Sequence, residues 1–105
     1  MADFMKMLQQ AQELQKNVER LRDDLQRLTI VGSAGGGMVT AEVTGEGHIK
    51  RVKIDAAVVN PADTEMLEDL VVVAVAEAQK KAQQAAQEKF GSVTGGLNLP
   101  FKLPL

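Results

Sequence analysis

The sequence predicts an α+β fold with a long N-terminal helix, a three-stranded antiparallel meander, a long C-terminal helix and an extended tail. Three observations predict it: an apolar heptad pattern comes first, short alternating segments between glycine-rich turns follow, and a second long apolar stretch begins after a proline turn. At 105 residues, we expect a single domain, 1–105. Its predicted parts are a helical arm 3–28, a sheet 29–55, a helix 63–90 and a tail 91–105.

The first predicted helix carries a heptad seam of apolar residues. Such a seam is typical of a helix that packs on a partner helix, and a β-branched residue, Val18, at the central a position with leucine at d favours two strands. One small chain has few ways to bury this surface by itself. We therefore expect a homodimer interface, with coiled-coil character, formed by Met7, Ala11, Leu14, Val18, Leu21, Leu25 and Leu28.

The sheet prediction comes from alternation around two turns. Residues 32–37, Gly-Ser-Ala-Gly-Gly-Gly, are predicted to form a flexible turn, and residues 45–48 form a second one. Apolar and polar residues alternate after each turn, which is typical of strands with one buried face. The positions predicted to face inward are Val39, Ala41, Val43, Val52 and Ile54.

The second helix follows Pro61, with Asp63 or Thr64 as its N-cap, and is predicted to stop at Gly91. Its first half, 66–78, is apolar around most of its circumference, which predicts a buried core helix. Its second half is rich in alanine, glutamine and lysine, which predicts a segment that projects from the body.

The tail has an apolar residue at every second position from Leu97 to Leu105, interrupted by two prolines. Proline bars it from a central strand. Two readings remain open: an extended arm that lies over an apolar surface, of the same chain or a partner, or a frayed terminus.

Several function classes are disfavoured by composition. The chain has no cysteine, which excludes disulfides and thiolate zinc sites, and its one histidine, His48, lies in a predicted surface turn. No apolar run approaches the ~20 residues of a membrane span, and no secretory signal is evident, so we expect a cytoplasmic protein. We expect no enzyme, cofactor, metal site or small-molecule substrate.

The net charge and the positions of the charged residues give opposite indications about nucleic-acid binding. Twelve basic and fourteen acidic residues leave a net charge of −2, which disfavours nucleic-acid binding. Six of the basic residues are nevertheless grouped on the helices: Lys16, Arg20 and Arg27 lie on the first, and Lys80, Lys81 and Lys89, beside several glutamines, lie on the second. Lysines and glutamines can bind phosphate oxygens without reading sequence. The alternatives are a salt-bridge ladder on the first helix and a dipole-complementing end on the second, where Glu77 pairs with Lys81.

Several stretches together resemble the YbaB/EbfC family of bacterial nucleoid-associated proteins, and the likeness covers essentially the whole chain. They are Met7-Leu8-Gln9-Gln10-Ala11-Gln12, Leu14-Gln15, Met38-Val39, Arg51-Val52-Lys53-Ile54-Asp55, Glu65-Met66-Leu67-Glu68-Asp69-Leu70-Val71 and the segment from Ser92 to Pro100.

The resemblance implies an intertwined, tweezer-shaped homodimer that binds double-stranded DNA in the nucleoid and has no catalytic residues. The DNA contacts would lie on the helical arms, at Lys16, Arg20, Arg27, Lys80, Lys81 and Lys89. The alternative is a helical-arm module that grips another protein and does not touch DNA. Sequence preference and DNA bending or bridging are not predictable from this chain.

Overall fold

A computed structural model describes residues 2–94 as two long helices and one small sheet in an elongated shape of 72 × 24 × 16 Å. The elements are α1 (Ala2–Arg27), β1 (Ile30–Ala34), β2 (Val39–Val43), β3 (Ile49–Ile54), a 3-10 turn (Ala56–Val58) and α2 (Thr64–Thr94). The predicted tail lies outside the described residues from residue 95 onward.

The three strands form the predicted antiparallel meander, in the order β1-β2-β3. Gly32 pairs with Ala41, and Ala41 pairs with Val52, so these residues share one face of the sheet. The register shifts between Glu42 and Val43, where β2 meets the start of β3. The α+β prediction is confirmed in class and in element order.

The core lies between this face and α2, which packs mainly on β1 and β2. Val39, Ala41 and Val43 are fully buried, as predicted, against an alanine stripe of the helix at Ala74, Ala78 and Ala82. Small side chains on both layers let the helix axis approach the sheet closely, so burial is dense although few side chains are large.

Gly32 belongs to this close approach. A β-carbon at Gly32 would overlap the backbone nitrogen of Ala78 and the backbone oxygen of Ala74. The predicted turn 32–37 is therefore wrong at its beginning, because the first residues of that segment continue β1. The turn itself uses the glycines with positive φ, which are Gly35, Gly36 and Gly37.

The ends of α2 agree with the prediction at one terminus only. Asp63 Oδ1 accepts a hydrogen bond from the Met66 backbone N–H at 3.2 Å, so Asp63 is the N-cap. The predicted stop at Gly91 is wrong, since α2 continues through it to Thr94. Glycine costs a helix about 1 kcal/mol relative to alanine, but it keeps its N–H and does not break the ladder.

Burial along α2 also differs from expectation. In the first half, predicted to be the buried core helix, Met66, Val72 and Val73 are 41%, 65% and 53% exposed, because one small sheet covers only one side of a helix. In the second half, predicted to project, Ala82 is fully buried and Ala85 is half-buried. Ala82 belongs to the core and α2 also contacts α1, so this half is not a free arm along its whole length.

Candidate nucleic-acid interface

Three of the basic residues of α1 lie on one side of the helix and form the basic stripe. Lys16, Arg20 and Arg27 are all exposed. At about 100° per residue they lie within an arc of about 40°, and at 1.5 Å per residue they span about 16 Å of helix. The structure therefore brings together the three predicted α1 positions.

The apolar seam of α1 lies about 150° around the helix from these cations. Its two ends differ in burial. Leu21 and Leu25 are each only 9% exposed, whereas Met7 is 65% exposed, and Leu14 and Val18 are also exposed but to a smaller extent. Ala11 is also exposed, and Leu28 is half-buried.

The buried end of the seam is held within one chain. The Gly45 backbone N–H donates to the Leu25 oxygen at 2.8 Å, and a β-carbon at Gly45 would crowd the Leu25 side chain. Leu21 and Leu25 were both predicted to need a partner chain for burial, and a single chain already buries them where α1 adjoins the body. A dimer interface along the seam stays a prediction.

The salt-bridge ladder considered for α1 does not form. Within residues 3–91, the ion pair that forms joins Lys81 Nζ to Glu77 Oε1 at 2.9 Å, on α2. The cations of the α1 stripe consequently have no carboxylate within ion-pair distance in the described part of the chain. Exposed and unpaired guanidinium and ammonium groups are what a phosphate backbone recognises.

The three lysines of α2 do not share one surface. Lys80 is exposed and Lys89 is half-buried, and the nine-residue spacing places them on opposite sides of the helix. Lys81 is occupied: besides its ion pair, its Nζ donates to the Val31 oxygen at 3.3 Å. Only the α1 group forms a coherent basic surface.

Glu77 and Lys81 lie along β1, which is an edge strand. The hydrogen bond from Lys81, and then its charge, lower the pKa of Glu77 below the ordinary value, and the Ser33 backbone N–H adds to the effect. The Glu77 carboxylate therefore interacts with the Ser33 backbone N–H, and the Lys81 ammonium with the Val31 backbone oxygen, on the open side of the strand. The sequence indicates the pair through its i,i+4 spacing, but it gives no signal of the strand beside it.

The third strand adds cations on the sheet face away from α2. Arg51 pairs across the strands with Glu42, and Lys53 pairs with Thr40. Lys50 Nζ donates to Thr29 Oγ1 at 2.8 Å. Because an acid stands opposite Arg51, this face is mixed in charge and less suited to phosphate than the α1 stripe.

No other described feature suits an anion. A shallow pocket of about 420 Å³ between β1 and the start of α2 has Asp63, Glu65 and Asp69 in its lining, and their charge repels phosphate. Within residues 2–94, no cluster of three potential metal ligands occurs, and neither helix has the length and hydropathy of a bilayer span. His48 is exposed in its turn, as expected.

Known proteins resemble this chain over nearly its whole length. A nucleoid-associated protein of Gemmatimonas aurantiaca is 54% identical, covering 97% of this chain and 98% of its own. A nucleoid-associated protein of Nitrobacter winogradskyi is 43% identical, covering 95% and 94%. The fold matches the crystal structure of an uncharacterized protein from Helicobacter pylori with a TM-score of 0.78 at 18% identity, over 88% of this chain and 97% of that one. Residues 1–97 match the family described as YbaB/EbfC DNA-binding, and the chain belongs to that family.

Proposed function

We propose that this chain is a nucleoid-associated protein that binds duplex DNA through its phosphate backbone, with the basic stripe of α1 (Lys16, Arg20 and Arg27) as the principal contact. The observation that carries the proposal is that these three cations are exposed, aligned and without ion-pair partners among residues 3–91. The family and the names of the relatives support the same class of function.

The geometry fits backbone contact without sequence reading. A duplex carries one charge per about 1.7 Å of axis, so a 16 Å row of cations meets several phosphates in any sequence. The chain has three phenylalanines and no tryptophan or tyrosine, which gives little means of stacking on bases. Binding by charge alone is low in specificity and falls steeply with salt.

The lysines of α2 have different roles in this proposal. Lys80 and Lys89 add phosphate contacts at the flanks, from opposite sides of α2. Lys81 is a structural residue first, because it is tied to Glu77 and to the Val31 carbonyl. The protein acts by binding, and we assign no catalytic role to any residue.

Two chains would bind better than one, and we propose a homodimer in which each chain contributes an α1 stripe. The open apolar surface that best fits a second copy is the uncovered side of the body. Ile49, Val52 and Ile54 of β3 share the face that α2 covers over β1 and β2, and the first and last of them are 55% and 43% exposed. Val72 of α2 is exposed as well. The exposed part of the predicted α1 seam is the competing dimer surface.

A second function has a specific observation in its favour. The chain is net acidic, and large apolar side chains are exposed on both helices, Phe4 and Val72 among them. These features fit a module that grips another protein through its arms. That function needs no contribution from the α1 cations, and this difference separates it from DNA binding.

The test compares two arginines of α1 that have the same side chain but lie on different sides of the helix. Arg20 lies on the basic stripe, whereas Arg22, also exposed, points about 160° away from it. We expect Arg20→Glu to lower affinity for a mixed-sequence duplex several-fold and to reduce the salt slope by about 2, as the loss of one phosphate contact on each of the two chains requires.

Arg22→Glu has the same change of charge and is the matched control. It should alter affinity much less, as measured by fluorescence anisotropy at low salt. Equal losses for both variants would indicate an effect of net charge and not of the stripe. An unchanged affinity for Arg20→Glu would remove the stripe from the site and favour the protein-binding function.

A further inference from the structure

An apolar stripe on the outer half of α1 is left uncovered by the described residues. Phe4 and Met7 are 63% and 65% exposed, and the stripe continues, at steps of no more than one turn, through Leu8, Ala11 and Leu14. We name these five residues the open stripe. It covers an arc of about 120°, the width of a core-facing surface, and it is continuous with buried Leu25. Burial therefore stops part-way along one apolar face.

Burial stops near the level at which α2 ends. Helix α2 runs antiparallel to β1, because Gly35 lies by Leu70 whereas Val31, nearer the start of the strand, is contacted by Lys81. Its C-terminal end therefore points back along α1. The thirteen residues from Ala82 to Thr94 extend it by about 18 Å, a length that on α1 equals the distance from Leu28 back to about residue 16. The open stripe begins where α2 stops.

The segment 95–105 starts from this same place and has a suitable sequence. Fully extended, its eleven residues reach about 36 Å, and the uncovered part of α1, residues 3–15, is about 20 Å long. Its apolar side chains recur at every second position, so an extended chain presents them all on one side. They are Leu97, Leu99, Phe101, Leu103 and Leu105, and the two prolines between them favour an extended backbone.

We propose that segment 95–105 lies along the open stripe of its own chain and continues the cover that α2 gives to Leu21 and Leu25. The extended length of segment 95–105 favours α1 of the same chain over α1 of a partner, since the segment follows the end of α2 beside its own α1. The stripe of Lys16, Arg20 and Arg27 lies on the other side of α1 and stays open. This inference goes beyond DNA binding and stands or fails independently of it. It also makes the outer half of α1 an internal surface and not a dimer seam.

The absence of cysteine permits a direct distance measurement. Lys102→Cys places a single thiol between two apolar positions without removing either, and it can carry a nitroxide label. In isotope-labelled protein, we expect the amide signals of residues 4–15 to be broadened while those of the β2–β3 turn are not. In a mixture of spin-labelled chains without isotope and isotope-labelled chains without nitroxide, these signals should stay sharp.

Two results would overturn the proposal. Broadening of residues 4–15 in the mixed sample would place the segment on a partner chain. Sharp signals in both samples would mean that the segment does not lie on α1. The remaining candidate to cover the open stripe would then be α1 of a second copy.

A second variant checks that the segment provides cover. Phe101→Ser with Leu103→Ser should speed amide hydrogen exchange in residues 4–15 by about tenfold, because exchange there reports local opening. Lys102→Ser is the matched control and should leave exchange unchanged. Equal exchange in the double variant and the parent would also contradict the proposal.

Discussion

At the scale of single residues, glycine illustrates the limit of sequence reasoning. Gly32 and Gly35 belong to one glycine-rich segment, yet one permits close packing of a strand on α2 and the other a positive φ. Glycine suits close packing and a positive φ equally well, so the sequence could not show which of these two roles each glycine has. The alternation of Val39, Ala41 and Val43 was sufficient to predict their burial, because strand period fixes the face.

Gly32→Ala tests the close approach of β1 and α2. The added methyl group would overlap the backbone of Ala74 and Ala78, so α2 must move away from the sheet, and we expect a loss of about 1–3 kcal/mol in the free energy of unfolding, or more. Gly91→Ala is the control, since its methyl group would meet nothing within 4 Å. It should stabilise the helix by up to about 1 kcal/mol. Urea denaturation of both variants measures the difference, and a neutral Gly32→Ala would contradict the packing described here.

At the scale of elements, the helices were predicted well and their surroundings were not. The seam of α1 and the N-cap Asp63 follow from spacing and from local chemistry. Neither spacing nor composition shows that α2 lies over β1 and β2 only, or that its end packs beside α1. Those facts depend on contacts between residues far apart in sequence, such as Gly32 with Ala78.

The contact of Glu77 and Lys81 with edge strand β1 gives an element-scale prediction. Glu77→Ala removes the carboxylate beside the Ser33 N–H, so the Ser33 amide should exchange faster with solvent while global stability changes little, as for an exposed pair. Glu77→Gln, which keeps an acceptor oxygen, should exchange more slowly than Glu77→Ala. Hydrogen exchange followed by NMR would measure both, and equal protection in all three proteins would refute the contact.

The pH dependence of this contact has a definite sign. The folded-state pKa of Glu77 is lowered, so the contact contributes fully above the ordinary value of 4.5 and is lost as pH falls through the lower folded value. Ser33 protection should therefore be constant at neutral pH and decrease only under acid conditions below that value. Loss of protection between pH 6 and 7 would contradict this assignment.

At the scale of the whole molecule, the structure separates two apolar surfaces that the sequence merged into one dimer prediction. One is the open stripe of α1, and the other, proposed for a second copy, comprises exposed apolar residues of the body, which are Ile49 and Ile54 of β3 and Val72 of α2. The sequence indicated that α2 is apolar nearly all round, but it could not show that one sheet is too small to cover it. Family membership, predicted from short stretches across the chain, is confirmed.

Charge introduction on the two surfaces distinguishes their roles. Val72→Asp places a charge on the surface proposed for the second copy, so the variant should sediment as a monomer with a folded helical spectrum. Leu14→Asp changes the open stripe and should leave the oligomeric state unchanged. Sedimentation velocity decides between them. A dimeric Val72→Asp with a monomeric Leu14→Asp would return the interface to the α1 seam.

The central claim is that this protein binds DNA through phosphates and without sequence preference. The most direct measurement is an anisotropy titration with two duplexes of equal length and unrelated sequence, each from low to physiological salt. The stripe cations, three on each of two chains, should by themselves give the plot of log affinity against log salt a slope of about −5, and contacts from Lys80 and Lys89 would make it steeper. The affinities for both duplexes should be equal. Absence of binding at low salt, or strong preference for one duplex, would contradict the account.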